Sequence, residues 1–261
     1  EIDAILASGE RRLFKEIGFD EARRRGGLES RIADIIDLNR DEIEARFPRL
    51  MRRVTGYNLD EFIRDDKFNV AKLLVGSEGT LAMTHRAKVK IEPRPKATAL
   101  MVVHFKDIVD SISSSEVILP FNPSAIELID EMVLGLARNS LEFSREIGFI
   151  EGNPGAILLV EFYGENEAEL TSKLDSLEGA LKKEKFGYAY PRALDRSGQE
   201  TIWKLRKAGL GLLLGTRGER KPIAFVEDCA VLPERLPQFF SRFREVIHKY
   251  DTSAGYYGHA S

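Results

Sequence analysis

Apolar segments separated by turns dominate the chain from Val70 onward. ATALMVVHF at 97–105 and GAILLVEFYG at 155–164 are continuous apolar runs of the length typical of buried strands. After the second run, leucines recur at helical spacing, and these are Leu170, Leu174, Leu177 and Leu181. The pattern therefore predicts a strand followed by a helix that packs against it.

A similar pattern occurs near the C-terminal end. PIAFVEDCAV at 222–231 has the composition of a strand, and GYYGH at 255–259 would begin a closing strand. The helix predicted between them has a wide apolar stripe, formed by Leu236, Phe239, Phe240, Phe243, Val246, Ile247 and Tyr250. Strands that alternate with packed helices favour an α+β fold, with a layer of helices over a mostly antiparallel sheet.

The first 50 residues contain no β-branched run, and they predict helices rather than strands. A partial helical stripe within SRIADIIDLNRDEIEARF consists of Ile32, Ile35, Ile36 and Leu38. Ser30 is expected to cap this helix, and the charged stretch EARRRGG at 21–27 to form an exposed turn.

Residues 71–93 predict two strands around a glycine-rich turn. AKLLVGSEG is expected to pair with AKVKIEP, in which Val89 and Ile91 alternate with polar residues. PRPKA at 93–97 has the composition of a linker. A second region of the protein would therefore begin near residue 96.

Composition excludes several classes of protein. The chain carries 39 lysines and arginines against 42 acidic residues, so it lacks the basic excess of a nucleic-acid-binding protein. A single cysteine, Cys229, favours a reducing compartment, and we interpret it as a buried, inert thiol within the strand at 222–231. No apolar run reaches about 18 residues, so no transmembrane helix is expected. A cytoplasmic protein is predicted, with peripheral attachment to the inner membrane as an alternative.

The sequence GSEGT at 76–80 is the first candidate for chemistry. Two glycines three residues apart allow a sharp turn, and consecutive backbone amides with the hydroxyls of Ser77 and Thr80 could form an anion-binding nest. The loop lacks the lysine of a Walker motif and the spacing of the Rossmann fingerprint. By motif alone, the loop fits a purely structural turn at least as well as a nucleotide site.

Several motifs together resemble one enzyme family. SEGTL after LLVG, preceded by TGYNLDEF at 55–62 and followed by a strand ending in P-x-P, closely resembles the FAD-linked oxidases of the vanillyl-alcohol oxidase type. Within that superfamily the chain is similar to the D-lactate, glycolate and D-2-hydroxyglutarate dehydrogenase branch. The later motifs occur in the order found there, and they are PSAIELID (123–130), LLVEFYG (158–164), IWKLRKAG (202–209), KPIAFVEDCAV (221–231) and YYGHA (256–260).

The resemblance implies a division into three parts. Residues 1–50 would be a helical segment, residues 51–95 the C-terminal part of a flavin-binding domain, and residues 96–261 a substrate-binding cap domain. The cap would be ferredoxin-like, with an antiparallel sheet and helices on one face. The chain begins without Met, and we expect it to be a fragment that lacks part of the flavin domain, binds FAD weakly and is inactive by itself.

The resemblance also implies a site shared between the flavin domain and the cap. FAD would be lined by Tyr57, Asn58, Gly76, Ser77, Glu78, Gly79 and Thr80. Arg206 and Lys221 would bind the substrate carboxylate, which suits the planar fork of an arginine. His259 matches the first histidine of a divalent metal motif, with zinc as one choice, and Leu210 stands where some relatives have Thr. The general base is not identified.

The implied function is flavin-dependent oxidation of a D-2-hydroxy acid by hydride transfer to FAD. Electrons would then pass to an iron-sulfur domain, a quinone or an electron-transfer protein. KPIAFVED with GYNLDEF most resembles members that are fused to an iron-sulfur part, which this chain cannot contain. Two alternatives stay open, a non-catalytic assembly subunit with the cap fold and a flavin enzyme similar to alkylglycerone-phosphate synthase.

Overall fold

The computed structural model describes residues 1–50, 56–64, 67–219, 221–224, 226–227 and 229–260. Its strands are β1 (Ile2–Leu6), β2 (Arg11–Phe14), β3 (Ala82–Ala87), β4 (Ala97–Phe105), β5 (Ala125–Asp130), β6 (Ala156–Gly164), β7 (Arg192–Ala193) and β8 (Tyr257–His259). Its α-helices are α1 (Phe19–Arg25), α2 (Gly27–Leu38), α3 (Arg40–Arg46), α4 (Val70–Leu74), α5 (Ile108–Ser113), α6 (Ser115–Ile118), α7 (Glu131–Arg138), α8 (Glu167–Lys183), α9 (Arg196–Leu214) and α10 (Leu236–Lys249). They form two compact units, the first chiefly Glu1–Pro93 and the second chiefly Arg94–Glu227 with Val231–Ser261.

The second unit is built on a five-stranded antiparallel sheet. The strand order is β7-β4-β6-β5-β8, and β4 and β6 pair without a break from Ala97 opposite Gly164 to Phe105 opposite Ala156. Both central strands are buried along most of their length, which explains why they read as continuous apolar runs. The predicted strands at 97–105 and 155–164 and the α+β class are confirmed.

Helices cover both faces of this sheet, where the resemblance implied one face. Met101 and Val103 pack with the leucines of α8, whereas Leu100 and Val102 pack with α7 and α9. Successive residues of a strand point to opposite faces, so strands that are apolar at most successive positions need cover on both sides. This second layer matters for the site, because α9 lies in it.

The first unit begins with strands, which corrects the prediction of helices throughout residues 1–50. β1 lies between β2 and β3, and Ile2 stands opposite both Phe14 and Ala87. The pairing with β3 joins segments about 80 residues apart in the chain, so local propensity does not reveal it. Helices do form from α1 onward.

Two details of the helices differ from the sequence prediction. The stretch at 21–27 ends α1 and begins α2 instead of forming an exposed turn. Ser30 lies within α2, whose N-cap is Gly26. Ile36 is buried, but Ile35 and Leu38 are exposed, so the core-facing stripe is narrower than predicted.

The strand pair predicted at 71–93 is not formed. The apolar residues before the glycine loop form α4, whose N-cap Asn69 accepts a hydrogen bond from the amide of Ala71 at 3.0 Å. β3 ends at Ala87, and Val89 and Ile91 beyond it are 73% and 84% exposed. A short apolar run is compatible with either helix or strand, and the cap decides between them here.

The C-terminal predictions are partly confirmed. The helix is α10, but Phe239, Val246 and Tyr250 from its predicted inner stripe are exposed. The closing strand is β8. The described residues between 221 and 232 form no strand, and Cys229 is exposed, so the predicted buried thiol is wrong. A strand needs a neighbour for its backbone groups, and none of the described strands pairs with this stretch.

Among the residues that the structure describes, no helix has both the length and the apolar character needed to cross a bilayer.

Candidate functional site

Three elements of the second unit bring polar side chains together around Glu127. β5 carries Glu127, β8 carries His259 directly opposite it, and α9 carries Arg206. The Nε and Nη2 atoms of Arg206 lie 2.9 and 2.8 Å from Oε2 of Glu127. Nδ1 of His259 is hydrogen-bonded to the other carboxylate oxygen, Oε1. We call Glu127, Arg206, His259 and Tyr257 the Glu127 cluster.

Tyr257 holds the guanidinium from another side. The Arg206 guanidinium carbon lies 5.2 Å from the centre of the Tyr257 ring, within the range of a cation–π contact. Gly209 of α9 makes room for this ring, because a Cβ at that position would lie 3.3 Å from it. Arg206 is therefore fixed by a carboxylate at one edge and by an aromatic ring.

Burial rises toward the centre of the cluster. Glu127 is only 5% exposed, whereas the side chains of Arg206 and His259 are 17% and 54% exposed. A buried carboxylate is costly unless it is paired and hydrogen-bonded, and Glu127 uses both oxygens for this purpose. The two partners extend from the buried anion toward solvent.

The hydrogen-bonding pattern leaves binding capacity on both partners. Glu127 occupies the edge of the Arg206 guanidinium that contains Nε, and Nη1 has no hydrogen bond to any described residue. The second edge of the guanidinium can therefore receive a carboxylate through two parallel hydrogen bonds. On His259, Nε2 likewise makes no hydrogen bond within the described part of the chain.

Lys221 makes no hydrogen bond or ion pair with this cluster among the described residues. Its Nζ donates a hydrogen bond to the backbone oxygen of Thr216, in the segment that follows α9. The structure thus joins Arg206 and His259 through Glu127, whereas the role of Lys221 in substrate binding stays a prediction.

The metal prediction for His259 gains no support from its surroundings. Across the described ranges, no three histidine, cysteine or carboxylate side chains are grouped closely enough to hold a metal ion. Glu127 is a neighbouring donor, but zinc requires three or four protein ligands. The described residues do not by themselves complete a metal site, so the metal role of His259 stays a prediction and no chemical step is assigned to a metal.

In the first unit, the GSEGT loop has the sharp geometry that its glycines predict. Gly76, Glu78 and Gly79 all have positive φ angles, of 80°, 50° and 75°. Tyr57 and Asn58 brace the loop: the Tyr57 hydroxyl lies 2.9 Å from Oγ1 of Thr80, and the Asn58 amide donates to the backbone oxygen of Val75 at 2.9 Å. All seven predicted flavin-lining residues therefore lie in one local structure.

The predicted anion nest is smaller than the sequence suggested. The Ser77 and Thr80 hydroxyls donate to the backbone oxygens of Leu74 and Ser77, at 2.8 and 2.6 Å, and the amides of Ser77 and Thr80 are also used within the loop. Within the loop, the amides of Gly76, Glu78 and Gly79 make no hydrogen bond to a described residue. Backbone amides, and not hydroxyls, are what the loop offers to a bound anion.

Sequence reasoning missed Glu127 and Tyr257. A signal for Glu127 was present, since it is a charged residue in AIELID, a strand that is otherwise apolar up to Asp130. Acidic residues are seldom buried unless they are paired. The identity of the partners could not be read in the same way, because they lie 79 and 132 residues away in the chain.

Asp130 anchors the same corner of the sheet. It caps α7 by accepting from the amide of Val133 at 2.9 Å, and its other oxygen accepts from the amide of Tyr256 at 2.8 Å, just before β8. Burial outweighs these hydrogen bonds and raises the pKa of Asp130 to about 6. Between about pH 4 and 6 the folded chain therefore holds a proton that the unfolded chain has released.

This linkage predicts that Asp130 makes the protein less stable as the pH rises through that window. From pH 5 to pH 7.5, we expect its contribution to the free energy of unfolding to fall by about 1 kcal/mol. Urea denaturation of the wild type and of Asp130→Asn at both pH values measures it, because the difference between the two proteins should change by that amount. Parallel pH profiles for the two proteins would contradict the prediction.

The chain is similar to known proteins, both as a family and individually. The family described as FAD linked oxidases, C-terminal domain, matches residues 94–261. The D-2-hydroxyglutarate dehydrogenase of Pseudomonas putida is 29% identical over 278 aligned positions, which cover 99% of this chain and 27% of the relative. The enzymes of the same name from Pantoea ananatis and Escherichia coli K12 are each 32% identical. Those two alignments cover 85% and 82% of this chain, and 23% and 22% of the relatives. The chain thus spans about a quarter of the length of these relatives.

Proposed function

Because this chain belongs to the family of FAD linked oxidases through their C-terminal domain, we propose that its protein is a flavin-dependent dehydrogenase of D-2-hydroxy acids. The substrate class is that of D-2-hydroxyglutarate, the acid in the names of the relatives described above, or of the shorter D-lactate and glycolate. Residues 51–95 contribute the C-terminal part of the flavin domain, and residues 96–261 form the cap that binds substrate.

The observation that carries this proposal is the guanidinium of Arg206. It is held at one edge by a buried carboxylate and has its second edge free of described partners. An arginine fixed in this way loses little conformational entropy when it binds a carboxylate, so it selects for an acid. His259 is hydrogen-bonded to the same carboxylate, and we assign it to the hydroxyl group beside the acid.

The remaining candidate residues bind other groups of the substrate or the flavin. Lys221 binds a carboxylate of the substrate, and a 2-hydroxy diacid offers one for each cation. The amides of Glu78 and Gly79 bind the flavin nucleotide, while Tyr57 and Asn58 keep the loop in shape. FAD, when bound, supplies the acceptor for the hydride that leaves the substrate carbon. The electron acceptor beyond FAD and any attachment to the inner membrane stay predictions.

The test is oxidation of a panel of acids by the protein in its full natural length, purified with FAD. We expect reduction of an artificial dye with D-2-hydroxyglutarate, D-lactate or glycolate, and much slower reduction with the L enantiomers of the first two, which are chiral. Activity with none of these acids would overturn the proposal and leave the two alternatives, a non-catalytic assembly subunit and a flavin enzyme similar to alkylglycerone-phosphate synthase.

An Arg206→Lys variant tests the assigned residue. Lysine keeps the charge but loses the planar fork, so the KM for the acid should rise at least about tenfold. Arg196→Lys is the matched control, because Arg196 lies on the same helix and makes an exposed pair with Glu200. An unchanged KM in Arg206→Lys would remove Arg206 from the site.

A further inference from the structure

Glu127 is the centre of the cluster, and neither the family motifs nor the sequence patterns assigned it a role. It is an acidic residue in the second strand from the edge of the sheet, and it is buried at 5% exposure. A carboxylate there stabilises the fold only through its partners, and hydrophobic side chains of similar size usually do as well. Its two oxygens go to two different elements, α9 and β8.

The bond to His259 has a defined chemical consequence. A carboxylate only accepts hydrogen bonds, so Nδ1 of His259 must carry the proton in the bond to Oε1. In a neutral imidazole the other nitrogen, Nε2, then has the lone pair. The side chain of His259 is 54% exposed, and its Nε2 makes no hydrogen bond to a described residue.

We propose that Glu127 is a positioning residue that holds His259 as the Nδ1–H tautomer and, with its second oxygen, holds one edge of Arg206. The arrangement presents two groups from neighbouring elements. One is a hydrogen-bond acceptor, Nε2 of His259, and the other is a bidentate donor, the free edge of Arg206. A 2-hydroxy carboxylate has the matching groups, a hydroxyl donor next to an anionic acceptor. This inference rests on the proposed function for its substrate, but the tautomer can be measured without one.

The first experiment is nitrogen-15 NMR of the imidazole rings in the 261-residue chain, at a pH where imidazoles are neutral. The chain has four histidines, so the His259 signals can be assigned by comparison with His259→Gln. We expect Nδ1 of His259 to have the shift of a protonated nitrogen and Nε2 that of an unprotonated one. The Nε2–H tautomer, or the averaged shifts of a free imidazole, would overturn the inference.

Glu127→Gln provides the matched change. A glutamine can accept from Arg206 with its oxygen while its amide donates to Nδ1, which forces the proton of His259 to Nε2. The variant should therefore exchange the two nitrogen shifts. Glu161→Gln on the neighbouring strand β6, where the carboxylate binds Trp203 and Ser124, should leave the His259 shifts unchanged. A Glu127→Gln spectrum identical to wild type would contradict the proposal.

In the full-length protein, Glu127→Gln should lower kcat by about 100-fold while changing the KM for the acid much less, because Nε2 would then carry a proton and could not accept one from the substrate hydroxyl. If Glu127 had only a structural role, the variant would contain less folded enzyme. The kcat and KM of the enzyme that does fold would then equal those of wild type. If wild type shows the expected tautomer but no acid is oxidised, the positioning stands and the proposed function fails. If acids are oxidised and the tautomer is wrong, the function stands and this inference fails.

Discussion

Gly155→Ala should lower the free energy of unfolding by about 3 kcal/mol or more. A Cβ at this position would lie 2.3 Å from the backbone oxygen of Lys106. Gly155 cannot move away, because its amide donates to Phe105 at 2.8 Å and its oxygen accepts from Glu131 at 2.9 Å. Urea denaturation followed by the fluorescence of Trp203, the one tryptophan of the chain, measures the change in this unit.

Gly179→Ala is the matched control for that experiment. Gly179 lies in α8, and a Cβ there would meet no atom within 4 Å. Alanine is the better helix former, so this variant should be more stable than wild type by about 0.5–1 kcal/mol. The two substitutions are chemically identical, and equal effects from them would show that the close approach at Gly155 does not exist.

Removing Arg206 should produce the second large effect, on stability as well as on binding. Arg206→Leu leaves the buried carboxylate of Glu127 without its cation, and the free energy of unfolding should fall by about 3 kcal/mol. The double variant Arg206→Leu with Glu127→Leu removes both charges and should recover most of that loss. Urea denaturation of the two single variants and the double variant gives the coupling between the residues.

The exposed pair of Arg196 and Glu200 supplies the comparison. It lies on the same helix, and both side chains are mostly exposed, so Arg196→Leu should leave the stability almost unchanged. If Arg206→Leu were as mild as Arg196→Leu, Glu127 would not depend on its partner. The cluster would then lack the fixed geometry from which the substrate proposal is argued.

The sequence by itself determined the elements whose apolar pattern is long and regular. The strands β4 and β6 and the leucines of α8 could be read directly, because burial on both faces or on one helical stripe leaves a periodic record. The motifs also determined the family, and they supplied Arg206 and His259 as candidates. These features depend on local sequence, so one chain without a structure was enough to find them.

Only the tertiary structure decided which distant segments meet. The hairpin at the amino terminus pairs with β3, which lies about 80 residues further along the chain. The segment predicted as a strand before the glycine loop forms α4, because Asn69 caps it and Val70 and Ala71 are buried. Glu127 could be recognised as an unusual charge, but its two partners come from α9 and β8, more than 70 residues further along the chain. Residue type and spacing limit the secondary structures that a segment can form. Packing between distant segments determines which of these structures forms, and it brings the residues of the site together.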